Sequence, residues 1–140
     1  MSILDQLKRN QLAIISLLVA LTALGYNTWR NELTENNRTT RQAGFEMLVH
    51  VATLQRISYL AHYDKDTVGG NPRKGWSEVL ILQDLAMLMP NNVFDSTRAL
   101  KQAWESNWSG LGKEDAAVTE IDGAIDVLRA ELHTTLTALD

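Results

Sequence analysis

The chain of 140 residues contains no cysteine, only two prolines and eight glycines. Without cysteine it can form no disulfide, no thiolate metal site, no covalent haem attachment and no cysteine nucleophile. Sandwiches and barrels need a turn about every 8–12 residues, and so few prolines and glycines do not supply them. The composition therefore predicts an all-α protein.

Basic residues are too few and too scattered for a nucleic-acid-binding protein. The sequence has 13 Lys and Arg against 17 Asp and Glu, which gives a formal net charge of −4. Nucleic-acid-binding domains carry a basic face or stripe, and no run of basic residues interleaved with aromatics occurs in this sequence. We therefore expect no nucleic-acid partner. The apolar fraction of 45% is ordinary for a folded domain.

One segment near the N-terminus is far more apolar than the rest. Residues 12–24 read LAIISLLVALTAL, and no charged residue occurs from Asn10 to Thr28. This uncharged window of about 19 residues makes about 28 Å of helix, close to the ~30 Å hydrocarbon core of a bilayer. We predict a single transmembrane anchor over residues 10–28, so a lipid bilayer is the first expected partner.

The residues at both edges of this window suit a membrane interface. Basic side chains flank it, and two aromatic residues stand where an interfacial aromatic belt is expected. Two alternatives stay open: a buried core helix of a soluble protein, and a secretory signal that is cleaved before Tyr26. The predicted interface anchors are Lys8, Arg9, Tyr26, Trp29 and Arg30.

The orientation of the anchor follows from the basic residues on its two sides. Lys8 and Arg9 precede the span closely, whereas Arg30, Arg38 and Arg41 follow it over a longer stretch. A short tail with basic residues next to the span favours a cytoplasmic N-terminus. We therefore expect the C-terminal domain on the non-cytoplasmic side of the membrane, which is the inner membrane if the chain is bacterial.

A long helix is predicted to continue from the anchor, because a 3–4 residue spacing keeps its phase beyond the span. This spacing predicts one continuous helix from the bilayer to about Tyr63. The alternative is a helix that is broken near Gly25 or Gly44. The spacing runs through Tyr26, Trp29, Leu33, Asn36, Thr40, Ala43, Met47, His50, Leu54, Ile57 and Ala61. The expected divisions are a tail at 1–9, the anchor at 10–28, a polar helical stalk at 29–44 and a helical bundle at 45–140.

Three further helices are predicted after a loop at 64–75. The segment 76–89 is apolar on nearly every face, so we expect it to be buried on several sides. Asp95 is the expected N-cap of a helix at 96–108, and residues 114–139 form the clearest amphipathic helix. Short connections favour antiparallel neighbours, so the bundle beyond the bilayer is expected to have about four helices. The seam of the last helix comprises Val118, Ile121, Ile125, Leu128, Leu132, Thr135 and Leu139.

No residue pattern in the sequence predicts an active site or a metal site. His50, His62 and His133 form no HExxH or ExxH pair, and we interpret them as packing or surface residues. Asp64 and Asp66 resemble the start of a calcium loop, but the later carboxylates are absent. The carboxylates of the last helix are expected on a solvated face. We therefore predict no catalytic residue, no cofactor and no metal, and no enzyme.

The tryptophans are the strongest candidates for a partner surface. Trp76, Trp104 and Trp108 all lie in the second half of the chain, and the last two are one helical turn apart. Exposed tryptophans are typical anchors of protein interfaces. The alternative is that aromatic residues spaced i, i+4 pack inward.

Three functions compete on these grounds. The favoured one is a membrane-anchored interaction protein, an accessory subunit or scaffold that docks another membrane or envelope protein. The second is a ligand-sensing four-helix domain, similar in architecture to the sensory domains of bacterial chemoreceptors. Such a sensor needs a second span to carry a signal back across the membrane, and we expect none after Leu139. The third is a non-covalent haem or metal carrier. A homo-oligomer is also open, since Asn36 and Thr40 could set the register of a parallel coiled coil.

Overall fold

The computed structural model describes residues 9–139, and over this range it contains helices and turns but no strand. We number the helices α1 (Gln11–His62), α2 (Pro72–Ala86), α3 (Asn91–Asn107) and α4 (Asp115–Thr137), and a short 3₁₀ turn, Trp108–Gly110, follows α3. The predicted all-α class, with one long apolar N-terminal helix and a helical bundle, is confirmed.

Helix α1 runs for 52 residues without interruption, so the predicted continuity to about Tyr63 is confirmed. Gly25 and Gly44 both lie inside it. A Cβ atom at Gly44 would come within 2.8 Å of the Leu136 side chain. The glycine therefore allows Leu136 to pack closely against α1, and it does not interrupt the helix. The chain nevertheless divides into two compact units, which meet at Arg38 and Thr39.

The first unit consists, in its described part, of the N-terminal portion of α1. Its large apolar side chains are exposed; Leu12, for example, is 82% exposed. By length and composition, α1 is the one helix in the described residues that could cross a membrane, and none of its apolar window is buried inside the protein.

The second unit, from Thr39 onward, has an apolar core shared by all four helices. The buried positions of α1 include Ala43, Met47, Leu54 and Ile57, which follow the predicted spacing. The predicted seam of α4 is also confirmed from Val118 to Thr135. Its buried residues are Val118, Ile121, Ile125, Leu128, Leu132 and Thr135, together with Ala117.

Side-chain contacts show that the neighbouring helices run antiparallel. Arg129 of α4 donates to the Gln55 side chain of α1 over 2.6 Å, and His62, near the end of α1, meets Asp115 at the start of α4 over 3.0 Å. A residue further along α1 therefore contacts a residue nearer the start of α4, so the two helices are antiparallel.

Helix α2 also runs antiparallel to α1. His50 lies 2.7 Å from Glu78, and a Cβ atom at Gly44 would lie 3.4 Å from the terminal carbon of Met89. Lower positions on α1 thus meet higher positions along α2 and its C-terminal turn.

The beginning of α2 lies earlier than the sequence pattern indicated. It starts at Pro72 rather than Trp76, because the Asn71 side chain accepts a hydrogen bond from the backbone N–H of Arg73. Asparagine followed by proline is a standard helix start, with the cap before the first helical position. Residues 72–75, which the sequence pattern places in the loop, therefore form the first turn of α2.

The beginning of α3 also differs from the prediction. The helix starts at Asn91, directly after Pro90, instead of at Ser96. Asp95 is therefore not the N-cap but a residue of the second turn, where it accepts a hydrogen bond from Arg98 over 3.1 Å.

The expected burial of α2 on several sides is wrong. Gly75, Val79, Leu82 and Ala86 are buried and follow one face of the helix. The opposite side is exposed because no element of the second unit covers it. The exposed apolar residues there and in the following turn are Leu80, Ile81, Met87 and Leu88.

Candidate interaction surface

Trp104 is part of the core and not of an accessible surface. Its side chain is fully buried, with 0% exposure. The indole ring lies so close to the backbone of α2 that a Cβ atom at Gly75 would overlap it. The prediction that Trp104 belongs to a partner surface is therefore wrong. The alternative prediction, that it packs inward, is confirmed. Its indole nitrogen has no hydrogen-bond partner among the described residues.

Trp76 and Trp108 are half-buried and pack against the same core. Each residue stays partly accessible to solvent. Because Trp104 lies between the helices, the three tryptophans do not form one exposed cluster. A partner contact by Trp76 or Trp108 stays a prediction.

The predicted interface anchors within the described residues lie on or directly before α1. Tyr26 and Trp29 are both exposed, and their ring centroids are 6.1 Å apart. Arg9 and Arg30 are also exposed. Lys8 lies outside the described residues.

Two histidines connect helices of the bundle. His50 Nδ1 lies 2.7 Å from Glu78 Oε2 between α1 and α2, and His62 Nε2 lies 3.0 Å from Asp115 Oδ1 between α1 and α4. His133 is exposed. Over residues 9–139, no group of three or more His, Asp and Glu side chains is placed to hold a metal ion.

Asp122 is less solvated than we expected for the carboxylates of α4. It is half-buried, and one of its carboxylate oxygens has no partner in the described structure. Burial raises the pKa of Asp122 above its ordinary value, although the hydrogen bond with Tyr59 opposes this shift. Burial and the same hydrogen bond raise the pKa of the Tyr59 hydroxyl.

Asp66 organises its own loop. Its carboxylate accepts hydrogen bonds from the backbone N–H groups of Val68 and Gly69 over 2.8 and 2.9 Å. These bonds lower the pKa of Asp66. One oxygen of this side chain is therefore used within the turn.

A groove and a set of exposed apolar residues lie along the outer side of α1 and α2. A groove of about 440 Å³ between these helices is lined by residues that include Thr53, Arg56, Lys74 and Ser77. Exposed apolar residues continue from it along both helices: Phe45 and Val49 on α1, Ile81 on α2 and Leu88 in the turn that follows α2. We call the groove and these four apolar residues the α1–α2 face.

Comparisons with known proteins do not identify a relative. The chain matches no protein-family model, no curated protein and no solved structure. A function has to be proposed from the residues of this chain.

Proposed function

We propose that the chain is a membrane-anchored, non-enzymatic interaction protein, an accessory subunit or scaffold of a membrane or envelope complex. The observation that carries this proposal is the apolar stretch of α1, of which no part is buried inside the protein. The helical bundle that follows is the part available to another protein.

The exposure of residues 12–24 supports the membrane anchor. Removing an apolar side chain from water contributes about 1.5–3 kcal/mol for a residue the size of Val or Leu, and most residues of this stretch are apolar. A helix with such side chains on all sides requires an apolar environment around its whole circumference. A bilayer provides that environment without any matching surface, and the uncharged window between Arg9 and Arg30 has the required length.

The polar contacts of the bundle support an interaction role over catalysis. The His50–Glu78 and His62–Asp115 pairs each join two helices, and Asp66 is used by its own loop. The second unit also has an exposed apolar strip on its surface, and such strips mark sites that interact with proteins, membranes or ligands.

Purification in a mild detergent tests the proposal. The full chain is expressed in its native host, extracted and isolated, and the components are identified by mass spectrometry. We expect at least one membrane or envelope protein in a fixed stoichiometric ratio. The protein recovered alone and monomeric, with a melting temperature raised by a small metabolite, would contradict the proposal and favour the ligand-binding alternative.

The intact mass of the extracted protein separates an anchor from a cleaved signal. We expect a mass that includes residues 10–28. A mass that begins at Tyr26 would show signal cleavage and would remove the membrane part of the proposal.

A further inference from the structure

We infer that the α1–α2 face binds an amphipathic helix of a partner protein, in one orientation set by charge. One half of the partner helix would cover the apolar residues of the face and carry basic residues at its edge. The other half would carry acidic residues. This inference rests on the proposed function, because it names the surface and the kind of partner through which the bundle acts.

The face is continuous along the two helices. Thr53 of α1 and Ser77 of α2 both line the groove. One helical turn before Thr53 is Val49, and one turn after Ser77 is Ile81, so these two apolar residues extend the groove in the same direction. One turn beyond Val49 is Phe45, whose neighbour Gly44 approaches Met89.

The apolar half of the face is open to solvent. Phe45, Val49 and Leu88 are each more than half exposed, and Ile81 is 38% exposed. Four large apolar residues, on the adjacent helices α1 and α2 and in the turn after α2, make a larger unit than the single exposed residues that soluble proteins normally show.

The charges on the face are separated along its length. Glu46 and Asp84 are exposed beside the apolar half. Arg56, Lys74 and Glu78 line the groove at the other half. Glu78 is engaged by His50 over 2.7 Å and Lys74 donates to the backbone carbonyl of Val68, so Arg56 is the exposed basic group that this half offers to a partner. A partner with basic residues at one end and acidic residues at the other matches this arrangement, and the reversed orientation would place like charges together.

The same charges argue against two other occupants. An anionic membrane surface attracts basic residues, whereas the apolar half of this face is bordered by Glu46 and Asp84. Two copies that paired through this face in parallel would bring like ends together, acidic against acidic and basic against basic. A helix from a different protein avoids both conflicts.

The shape of the face suits a helix. A groove between two antiparallel helices accepts an amphipathic helix through anchors spaced i, i+3 or i+4, and i+7. From Phe45 to Leu60 the face extends along about 16 residues of α1, or about 24 Å. A partner helix of similar length would contact both halves.

Site-specific photo-crosslinking in the native host tests the inference. A photoreactive amino acid replaces Val49 in the full chain, and the matched control carries it at Val127 of α4, since the two valines are 61% and 55% exposed. We expect cross-links from position 49 alone, to one protein, within a segment that has an apolar helical stripe, basic residues at one end and acidic residues at the other. Cross-links to lipid, to a second copy, to a segment without this pattern, or equally from both positions would overturn the inference.

Substitutions separate the failure of this inference from the failure of the proposed function. In the detergent purification described above, Val49→Asp with Ile81→Asp is expected to reduce the recovered partner at least tenfold, whereas Val127→Asp is expected to leave it unchanged. Circular dichroism confirms that each variant is folded. A partner retained equally by all variants would contradict the inference alone, and no partner with the unsubstituted chain would contradict the proposed function.

The orientation of the partner helix, which the charges along the α1–α2 face set, can be tested separately. The cross-linked segment is synthesised as a peptide, and its Kd for the full chain in detergent is measured. We expect Arg56→Glu to weaken binding about tenfold and a peptide with its acidic residues changed to lysine to restore it. A Kd that is unaffected by Arg56→Glu would overturn the assigned orientation.

Discussion

The two units of this chain use the same apolar residue types in opposite ways. In the second unit, Leu54, Leu82 and Leu128 are completely covered by other helices. In the first, Leu12 and Leu24 are more than half exposed. Leucine is equally hydrophobic in both places, so the difference lies in what surrounds it. The bundle supplies its own apolar environment, whereas the apolar side chains of the N-terminal part of α1 are not covered by any of the described residues.

The α1–α2 face combines features of both units. It belongs to the bundle, yet Phe45, Val49 and Leu88 are exposed to a degree similar to the leucines of the first unit. Unlike those leucines, these residues are confined to one side and are bordered by charges. Exposure on all sides is the pattern expected of the proposed membrane anchor, and exposure on one charged side is the pattern expected of the proposed partner surface.

The largest expected effect comes from charges placed in the anchor. Leu18→Arg with Val19→Arg adds two guanidinium groups to the middle of the span, at about 2.5–3.5 kcal/mol each on an insertion scale. We expect the protein to leave the membrane fraction after an alkaline wash, as measured by immunoblotting. Leu80→Arg, at an exposed leucine of the bundle, is the control and is expected to stay with the membranes. Equal retention of both variants would contradict the assignment of the anchor.

The core of the bundle is tested at Trp104. Trp104→Ala removes a completely buried indole, and we expect a loss of about 3–5 kcal/mol in the free energy of unfolding. Chemical denaturation of the detergent-solubilised full chain, followed by circular dichroism, gives this value. A loss below about 1 kcal/mol would show that Trp104 does not hold the helices together.

Two glycines of the bundle are expected to respond in opposite directions to the same substitution. Gly75→Ala puts a methyl group where the Trp104 ring lies, and overpacking of this kind costs about 1–3 kcal/mol. Gly123→Ala meets nothing within 4 Å and is expected to gain about 1 kcal/mol from helix propensity. Thermal unfolding of both variants checks the prediction. A stabilised Gly75→Ala variant would show that α2 and α3 approach less closely.

The smallest expected effect concerns Asp122. Burial raises the pKa of Asp122 in the folded state, so deprotonation of this group opposes folding. The free energy of unfolding therefore falls as the pH rises from about the ordinary pKa of aspartate through the raised pKa of Asp122. Asp122→Asn removes this ionisation and is expected to add about 1 kcal/mol or less at neutral pH, since the group is only half-buried. The unfolding free energy at several pH values tests it. A variant with an unchanged pH dependence would contradict the role of Asp122.

The fold was largely predictable because its main signals are local and periodic. The α4 spacing from Val118 to Thr135 and the α1 spacing from Ala43 to Ile57 identify the buried faces directly. The start of α2 was also readable in principle, from Asn71 and Pro72. These features depend on residues within one or two turns of each other.

The surface of the bundle could not be predicted in the same way. The sequence of α2 is apolar on almost every side, and only the arrangement of the other helices shows that Ile81 and Leu88 stay uncovered. Similarly, nothing local to Trp104 reveals that Gly75, 29 positions earlier in the numbering, opens space for its ring. Exposure depends on contacts between distant segments, which a spacing pattern does not contain.

The absence of cysteine allows a direct test of the contrast between the two units, because an introduced cysteine is then the only thiol of the sequence that can react with a labelling reagent. Ser16→Cys places it in the apolar stretch of α1, and Ser106→Cys places it on the exposed surface of α3. Native membranes are treated with a membrane-impermeant maleimide, with and without denaturing detergent. We predict that the thiol at position 106 reacts from one side of the membrane and that the thiol at position 16 reacts only after denaturation. Equal reaction of both positions in intact membranes would contradict the membrane anchor.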